Sequence, residues 1–158
     1  MPSIPPLPPS SGKEWRLRPL NRGDREAAFK LLAGEGWAVS ALDQEAVISW
    51  VVQHPEMESF VAHDSFAYRR LFGIITLSHR PQLRLGGRVA SIDLFVVDPE
   101  QRQKGIGHDL LAQAMRRAEA LACKRIEILL PEPRSDRHAF FENYGFLKSG
   151  NDLWTRKP

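Results

Sequence analysis

Two glycines one residue apart could bind an anion through the main chain. Gly105 and Gly107 lie between an apolar run that ends at Val97 and a helical pattern that begins at Ile106. A helix N-terminus presents free N–H groups and the positive end of the helix dipole, so it attracts phosphate. A Cβ would block positive φ or hold the ligand away from these N–H groups. The spacing therefore predicts a phosphate site, although an ordinary turn before a helix can have the same glycines.

Two common nucleotide-binding loops do not fit this stretch. The Rossmann loop has a third glycine and follows its strand directly, whereas here the third glycine is missing and the loop begins several residues later. The Walker loop needs Gly-Lys followed by Ser or Thr, which the chain does not contain. Instead, Arg102 and Lys104 stand beside the glycines. The loop must therefore be of another phosphate-binding type.

The composition is that of an ordinary globular domain. The chain has 158 residues, of which 42% are apolar and 26% are charged, enough for one compact core. The net charge of +3 is dispersed, and the densest basic stretch, residues 115–125, has the spacing of a solvated helix face, so we expect no nucleic-acid partner. One cysteine, no apolar run of membrane length and no signal peptide predict a cytoplasmic protein with no membrane partner and no metal.

The N-terminal segment differs from the rest of the chain. Five of its first nine residues are proline, and Ser-Ser-Gly follows. Proline fixes φ and removes N–H donors, so residues 1–12 are expected to form a disordered tail. The alternative is that its "PPLPP" segment docks in an aromatic groove of a partner protein. Residues 13–158 are expected to form a single domain.

Hydrophobic periodicity predicts the element order β, α, α, β, β, β, α, β, α, β. Antiparallel hairpins followed by βαβ units imply a mixed antiparallel and parallel sheet with helices on both faces, an α/β fold of α+β character. A closing strand or hairpin is expected over residues 146–157. The expected helix signals are an N-cap at Asp24, a start at Asp43 and a stop at Pro55, a start at Ile106, a cap at Ser135 or Asp136 and a stop at Gly145.

The segment Arg102-Gln-Lys-Gly105-Ile-Gly107 resembles the acyl-CoA loop of the GNAT N-acetyltransferase superfamily. That loop reads Gln or Arg, two residues, Gly, one residue, then Gly or Ala. The element order also matches, Gly73 lies within the third strand, and "AFFENYGF" is similar to the family's C-terminal helix with its final Gly-Phe. The resemblance covers Trp15 to the C-terminus. It implies an acetyl-CoA-dependent enzyme that acetylates an amine of a small molecule, peptide or protein, as a monomer or homodimer.

The resemblance also implies where acetyl-CoA binds. Main-chain amides from Gln103 to His108 would hold the pyrophosphate, and Arg102 would support the loop or a phosphate. The fourth strand would splay from the fifth, so that main-chain groups near Phe95 and Val97 pair with the pantetheine arm. The implied cofactor-binding residues are Phe95, Val96, Val97, Arg102, Gln103, Lys104, Gly105, Ile106, Gly107, His108 and Phe141.

The chemistry requires a neutral amine and a stabilised oxyanion. An amine of pKa about 10.4 is almost wholly protonated at pH 7, so a carboxylate base would help. Ser91 occupies the strand position where some family members carry a glutamate base, and Asp93 follows on the same face unless a bulge intervenes. Asp93 is thus the candidate base; the alternative is a solvated or arginine-paired aspartate. The amide of Val96 or Phe95 would meet the oxyanion.

The departing thiolate needs a proton, and here the chain departs from the family. Many members carry a tyrosine four residues before the last glycine, where this chain has Phe141. Tyr144 is rotated roughly 60° from that position and can be a packed tyrosine instead. His138 is a candidate acid or a hydrogen-bonding residue, and water can also protonate a thiolate of pKa about 8.5. Phe141 therefore favours an alternative function, an acyl-CoA-binding sensor or regulatory module with little catalysis.

The family's acceptor pocket is usually built from the first two helices and the region of the sixth strand. Residues 34–44 would supply part of this wall. Trp37 either lines the pocket or is simply packed.

Overall fold

The computed structural model describes residues 13–130, 135–150 and 155–157. The chain forms two compact units, Met1–Ile128 and Leu129–Pro158. The second unit contains helix α4 (Asp136–Glu142). The first contains strands β1 (Trp15–Pro19), β2 (Met57–Asp64), β3 (Ala67–Gln82), β4 (Gly87–Val97) and β5 (Cys123–Ile128), and helices α1 (Arg25–Gly34), α2 (Ala41–Gln53) and α3 (Ile106–Ala120).

The five strands form one mixed sheet in the order β1-β2-β3-β4-β5. The first three neighbouring pairs are antiparallel, and β4 and β5 are parallel. Parallel neighbours cannot be joined by a tight turn, and α3 provides the crossover between them. The prediction of a mixed sheet is confirmed.

Helices cover both faces of this sheet. A Cβ on Gly73 of β3 would stand 2.9 Å from Leu110 Cδ1 of α3. The next residue, Ile74, lies in a buried cluster with Ala28 of α1. Successive strand residues point to opposite faces, so α3 and α1 pack on opposite sides. This confirms the predicted arrangement.

Asp24 is the N-cap residue of α1, as its position predicted, and the helix begins at Arg25. Its side chain, however, makes no capping hydrogen bond. Its two oxygens instead accept from Arg18 at 2.7 and 2.8 Å, and one also accepts from Arg69 at 3.1 Å. Burial alone would raise the pKa of this fully buried carboxyl, but the bonds from Arg18 and from the Asn21 main chain bring it below its usual value. Asp24 therefore joins β1, α1 and β3 as part of a buried ion pair.

The ends of two other helices follow from local side chains. Ser40 Oγ accepts from the Asp43 main-chain N–H at 3.2 Å, so Ser40 caps α2 and the helix begins earlier than Asp43. At the start of α4, His138 Nδ1 accepts from the Ser135 main-chain N–H at 3.0 Å. Gly145 follows α4 with φ +86°, as its position predicted.

The predicted closing strand is absent from the described residues near the C-terminus. Residues 146–150 and 155–157 form no strand, and residues 151–154 lie outside the described residues. The predicted N-terminal tail, residues 1–12, lies outside them as well. Within the ranges that the structure describes, no helix is both long and apolar enough to cross a membrane.

Candidate functional site

The glycine loop ends in a helix N-terminus that has no side-chain cap. Gly105 is the N-cap residue of α3 and has φ +100°, which favours glycine. Gln103 also adopts a positive φ, +64°. No side chain of the described residues caps this helix. The first turn of α3 therefore presents main-chain donors where the sequence predicts a phosphate.

Trp15, the first residue of β1, and Lys13 just before the strand hold this loop from one side. Asp109, in the first turn of α3, accepts a hydrogen bond from Trp15 Nε1 at 3.0 Å and from Lys13 Nζ at 2.8 Å. The Trp15 ring packs beside the loop, because a Cβ on Gly105 would lie 3.9 Å from Trp15 Cζ2. Lys13 also offsets the negative charge that Asp109 places near an anion site.

Arg102 holds the loop from the other side. Its Nε donates to the Val97 main-chain oxygen at 3.2 Å, and its Nη2 donates to Glu35 Oε1 at 2.8 Å. Lys104 Nζ donates to Gln101 Oε1 at 2.9 Å. Arg102 thus contacts the end of β4 and Glu35, the residue that follows α1.

Strand β4 continues past the end of β5 beside the loop. Their parallel pairing runs from Arg88 and Cys123 to Ile92 and Ile128, whereas β4 continues to Val97. Residues 93–97 therefore extend beyond the last pair with β5, and we call this part of β4 the fork. The splaying of the two strands that the family resemblance implies stays a prediction.

The ladder between β3 and β4 determines which main-chain groups of the fork are directed away from β3. The Asp98 N–H donates to the Phe72 oxygen at 2.8 Å, directly after the register pair Gly73 and Val97. In an antiparallel ladder the hydrogen-bonded pairs alternate, so the main chain of Val96 is directed toward β3. The main-chain groups of Phe95 and Val97 are directed away from β3.

A β-bulge lies at the candidate base. Consecutive residues of β3 pair with Leu94 and Ile92, so Asp93 is the extra residue on β4. A bulge therefore intervenes between Ser91 and Asp93, and simple alternation no longer places them on one face. The Asp93 side chain is exposed, and among the described residues it has no hydrogen bond or ion pair. Ser91 Oγ accepts from Arg80 Nη1 at 3.2 Å.

The C-terminal unit contains the three predicted residues of α4 and its end. Phe141 is 1% exposed, and its ring packs edge-on against Phe140 and Phe146, with centroids 5.3 Å apart in both pairs. The Tyr144 ring lies 5.1 Å from that of Phe140. Because His138 Nδ1 accepts a hydrogen bond, the proton of the neutral imidazole lies on Nε2. Protonation of Nδ1 would therefore break the helix-capping bond.

Sequence reasoning missed three residues of this region. Trp15 and Asp109 contact each other across 94 residues, and Glu35 contacts its partner Arg102 across 67. Neither contact leaves a local sequence pattern, and only the fold brings the partners together. In the part of the chain that the structure describes, no three His, Cys, Asp or Glu side chains could together hold a metal ion.

The family follows from comparison with known proteins. Residues 20–146 match the family model described as "Acetyltransferase (GNAT) family". The chain therefore belongs to the GNAT acetyltransferase family, for which acetyl-CoA-dependent acetyl transfer is typical. Comparison with curated proteins finds no significant match.

Solved structures share the fold at low sequence identity. An acetyltransferase from Trypanosoma brucei has a TM-score of 0.76 and 21% identity, covering 90% of this chain and 99% of the other. A transcriptional regulator from Bacillus halodurans has a TM-score of 0.82 and 22% identity, with coverage of 90% and 99%. AAC(6')-Iy in complex with the bisubstrate analog CoA-S-monomethyl-acetylneamine has a TM-score of 0.78 and 18% identity, with coverage of 92% and 99%.

Proposed function

We propose that this chain is an N-acetyltransferase that moves an acetyl group from acetyl-CoA to an amine. The observation that carries the proposal is the uncapped N-terminus of α3 behind the left-handed Gly105, directly beside the fork. An anion site and a strand that continues past the end of its neighbour suit a ligand with a pyrophosphate and an amide-containing arm. Membership of the GNAT family supports the same ligand, as does the coenzyme A analog in one structural neighbour.

In this proposal the main chain holds the cofactor. The N–H groups from Gln103 to His108 donate to the pyrophosphate, and Arg102 and Lys104 add positive charge nearby. The Phe95 carbonyl and the Val97 N–H, which are directed away from β3, pair with the pantetheine arm as another strand would. The bound cofactor supplies an activated acetyl thioester.

The transfer forms a C–N bond and breaks a C–S bond, while the amine loses a proton and the departing sulfur gains one. Asp93 takes the proton of the acceptor ammonium, directly or through water. Its exposure at the bulge leaves the carboxylate accessible to an incoming amine. The N–H of Phe95 donates to the acetyl oxygen. The N–H of Val96 is directed toward β3 and suits this task less well.

For the proton that the sulfur receives, we propose Tyr144 and His138 as the protein donors. His138 can give a proton from the imidazolium only by losing the helix-capping bond at Nδ1. Tyr144 can give its phenolic proton, and water is the source that requires no side chain. Phe141 lies at the position where many family members carry the donor tyrosine, so slow turnover is expected.

Release of free thiol tests whether the protein transfers acetyl groups to amines. The purified protein is mixed with acetyl-CoA and a panel of amines, and free coenzyme A is followed with a thiol reagent.

Gly107→Glu places a carboxylate at the phosphate site. We expect this variant to bind no coenzyme A, as measured by calorimetry. Gly150→Glu is the matched control, since a Cβ there meets nothing within 4 Å. Normal binding by a well-folded Gly107→Glu protein would refute the proposed cofactor site.

A second candidate, an acyl-CoA sensor with little catalysis, is favoured by Phe141. Its ring has no proton to give, and it packs within an aromatic cluster. The solved neighbour from Bacillus halodurans is a transcriptional regulator, which shows that the fold occurs in a protein of that description. Tight acetyl-CoA binding without thiol release toward any amine would select the sensor.

The proposal also covers the location, the oligomeric state and the partners of the protein. We propose a cytoplasmic protein, a monomer or homodimer, whose partners are acetyl-CoA and the amine acceptor, without metal, nucleic acid or membrane. The single cysteine and the ordinary surface charge support this setting. Size-exclusion chromatography with light scattering measures the oligomeric state.

A further inference from the structure

One guanidinium connects the end of α1 to the end of β4. Arg102 Nη2 donates to Glu35 Oε1 at 2.8 Å, while Arg102 Nε donates to the Val97 main-chain oxygen at 3.2 Å. Val97 belongs to the fork, and Arg102 is the residue with which the glycine loop begins. Glu35 therefore acts on both parts of the proposed cofactor site through a single partner.

The main chain at Glu35 is held by a regular helix end. The Trp37 N–H donates to the Leu32 oxygen and the Gly36 N–H to the Ala33 oxygen, both at 3.0 Å, which is the hydrogen-bond pattern of a Schellman motif. Gly36 has the positive φ, +86°, that this motif requires. The Glu35 side chain is 26% exposed, against 53% for Arg102. The carboxylate is thus the better fixed of the two partners.

We propose that Glu35 is a positioning residue for the cofactor site. It orients Arg102, and Arg102 in turn fixes the Val97 carbonyl and the start of the glycine loop. The connection between α1 and α2 is thereby coupled to cofactor affinity. This connection carries Trp37, which is 47% exposed and therefore not simply packed. The inference rests on the proposed function, because it assigns Glu35 a part in binding coenzyme A.

The direction in which coenzyme A affinity changes when Glu35 is neutralised distinguishes a positioning role from a purely electrostatic one. A carboxylate near a phosphate site repels the ligand, so removal of its charge alone would strengthen binding. Loss of a positioning contact weakens binding, because the loop must then be ordered when the ligand binds. Glu35→Gln is therefore expected to weaken coenzyme A binding, whereas loss of the negative charge alone would strengthen it.

Glu14 provides a matched control at the same loop. Its Oε2 lies 3.8 Å from Lys104 Nζ, and its side chain is 73% exposed. Glu14→Gln removes the same charge as Glu35→Gln beside the same loop. Coenzyme A affinity is measured by calorimetry for the wild type, for both single variants, for Arg102→Ala and for Glu35→Gln combined with Arg102→Ala.

We expect Glu35→Gln to weaken coenzyme A binding about two- to fivefold, the range of a partly exposed ion pair. Glu14→Gln should leave affinity unchanged or raise it. In the Arg102→Ala background, Glu35→Gln should cause no further loss, because the contact through which it acts is gone. Unchanged or tighter binding by Glu35→Gln, or an equal loss in both backgrounds, would overturn the proposal.

A second measurement needs no ligand and separates this inference from the proposed function. Hydrogen exchange of the amides from Val97 to Gly107 is followed in the free protein. Glu35→Gln should speed exchange in this segment, Glu14→Gln should not, and identical exchange in all three proteins would contradict the positioning role. A wild type that fails to bind coenzyme A, but shows faster exchange in Glu35→Gln alone, would refute the proposed function and leave the structural link intact.

Discussion

Arg18 and Asp24 form a bidentate ion pair in which the carboxylate is fully buried. The two bonds measure 2.7 and 2.8 Å, and the Arg18 guanidinium also lies 3.9 Å from the centre of the Tyr68 ring. This pair joins the edge strand β1 to the start of α1 and to β3. Removing either partner of a buried ion pair destabilises the folded protein, because it leaves the other charge buried without a counter-charge.

Asp24→Asn should destabilise the fold by about 3 to 5 kcal/mol, because it leaves the largely buried Arg18 without a counter-charge. Urea unfolding measures the loss. The control is Asp64→Asn, whose ion pair with Arg70 is longer, 3.5 Å, with a well-exposed arginine. That variant should lose less than about 1 kcal/mol. Equal losses in the two variants would contradict the importance of the buried pair.

The same pair predicts how stability depends on pH. The pKa of Asp24 is lower in the folded chain than in the unfolded chain, so the unfolded chain takes up its proton first as the pH falls. The stabilisation is complete above the unfolded pKa of about 3.9 and is lost as the pH falls below it toward the folded pKa. The Tm difference between wild type and Asp24→Asn should be constant near neutrality and shrink in this acid range. A constant difference down to strong acid would show that ionisation of Asp24 is not responsible.

Asp93→Asn should lower kcat/KM by roughly 10²- to 10⁴-fold at neutral pH if Asp93 is the base. The loss should be smaller in alkali, where more of the amine is already neutral. Glu127→Gln is a control beside the fork, since Arg125 Nη2 already holds its Oε1 at 2.7 Å; it should change the rate little. An equal loss for Asp93→Asn at every pH would indicate that Asp93 only positions the acceptor.

Phe141→Tyr should increase thiol release at saturating substrates, because it restores a hydroxyl of pKa about 10 at the family's tyrosine position. The ring is buried, so urea unfolding must show that the variant remains folded under assay conditions.

His138→Ala and Tyr144→Phe complete this test. The first removes a helix-capping bond, which typically costs about 0.5 to 2 kcal/mol. If Phe141→Tyr changes nothing and His138→Ala slows release about tenfold in fully folded protein, His138 is the donor. If only Tyr144→Phe slows release, Tyr144 is the donor. If none of the three changes the rate, the proton comes from water or its transfer does not limit turnover.

Local patterns predicted the five strands of the sheet, the four helices and the helix N-terminus at Gly105 correctly, because each depends on residues that are neighbours in sequence. Gly105 shows this well: its place between an apolar run and an amphipathic helix was enough to predict a helix N-terminus. Gly145 similarly marks the end of α4 through its positive φ.

Features that depend on a distant strand could not be predicted in the same way. An aspartate at a helix N-cap has the same local pattern whether its side chain caps the helix or accepts from Arg18 and Arg69, as that of Asp24 does. The bulge at Asp93 exists only relative to the register of β3. The contact of Glu35 with Arg102 spans 67 residues, and nothing near either residue in the sequence indicates it.

The fork has a consequence for how this protein can change during evolution. Peptide groups of Phe95 and Val97 face away from β3, and every residue except proline carries the same N–H and C=O groups. If coenzyme A binds these groups as proposed, its binding is insensitive to most mutations at the two positions, so the side chains there can diverge while the main-chain contacts are kept. Proline is the exception, because it lacks the N–H.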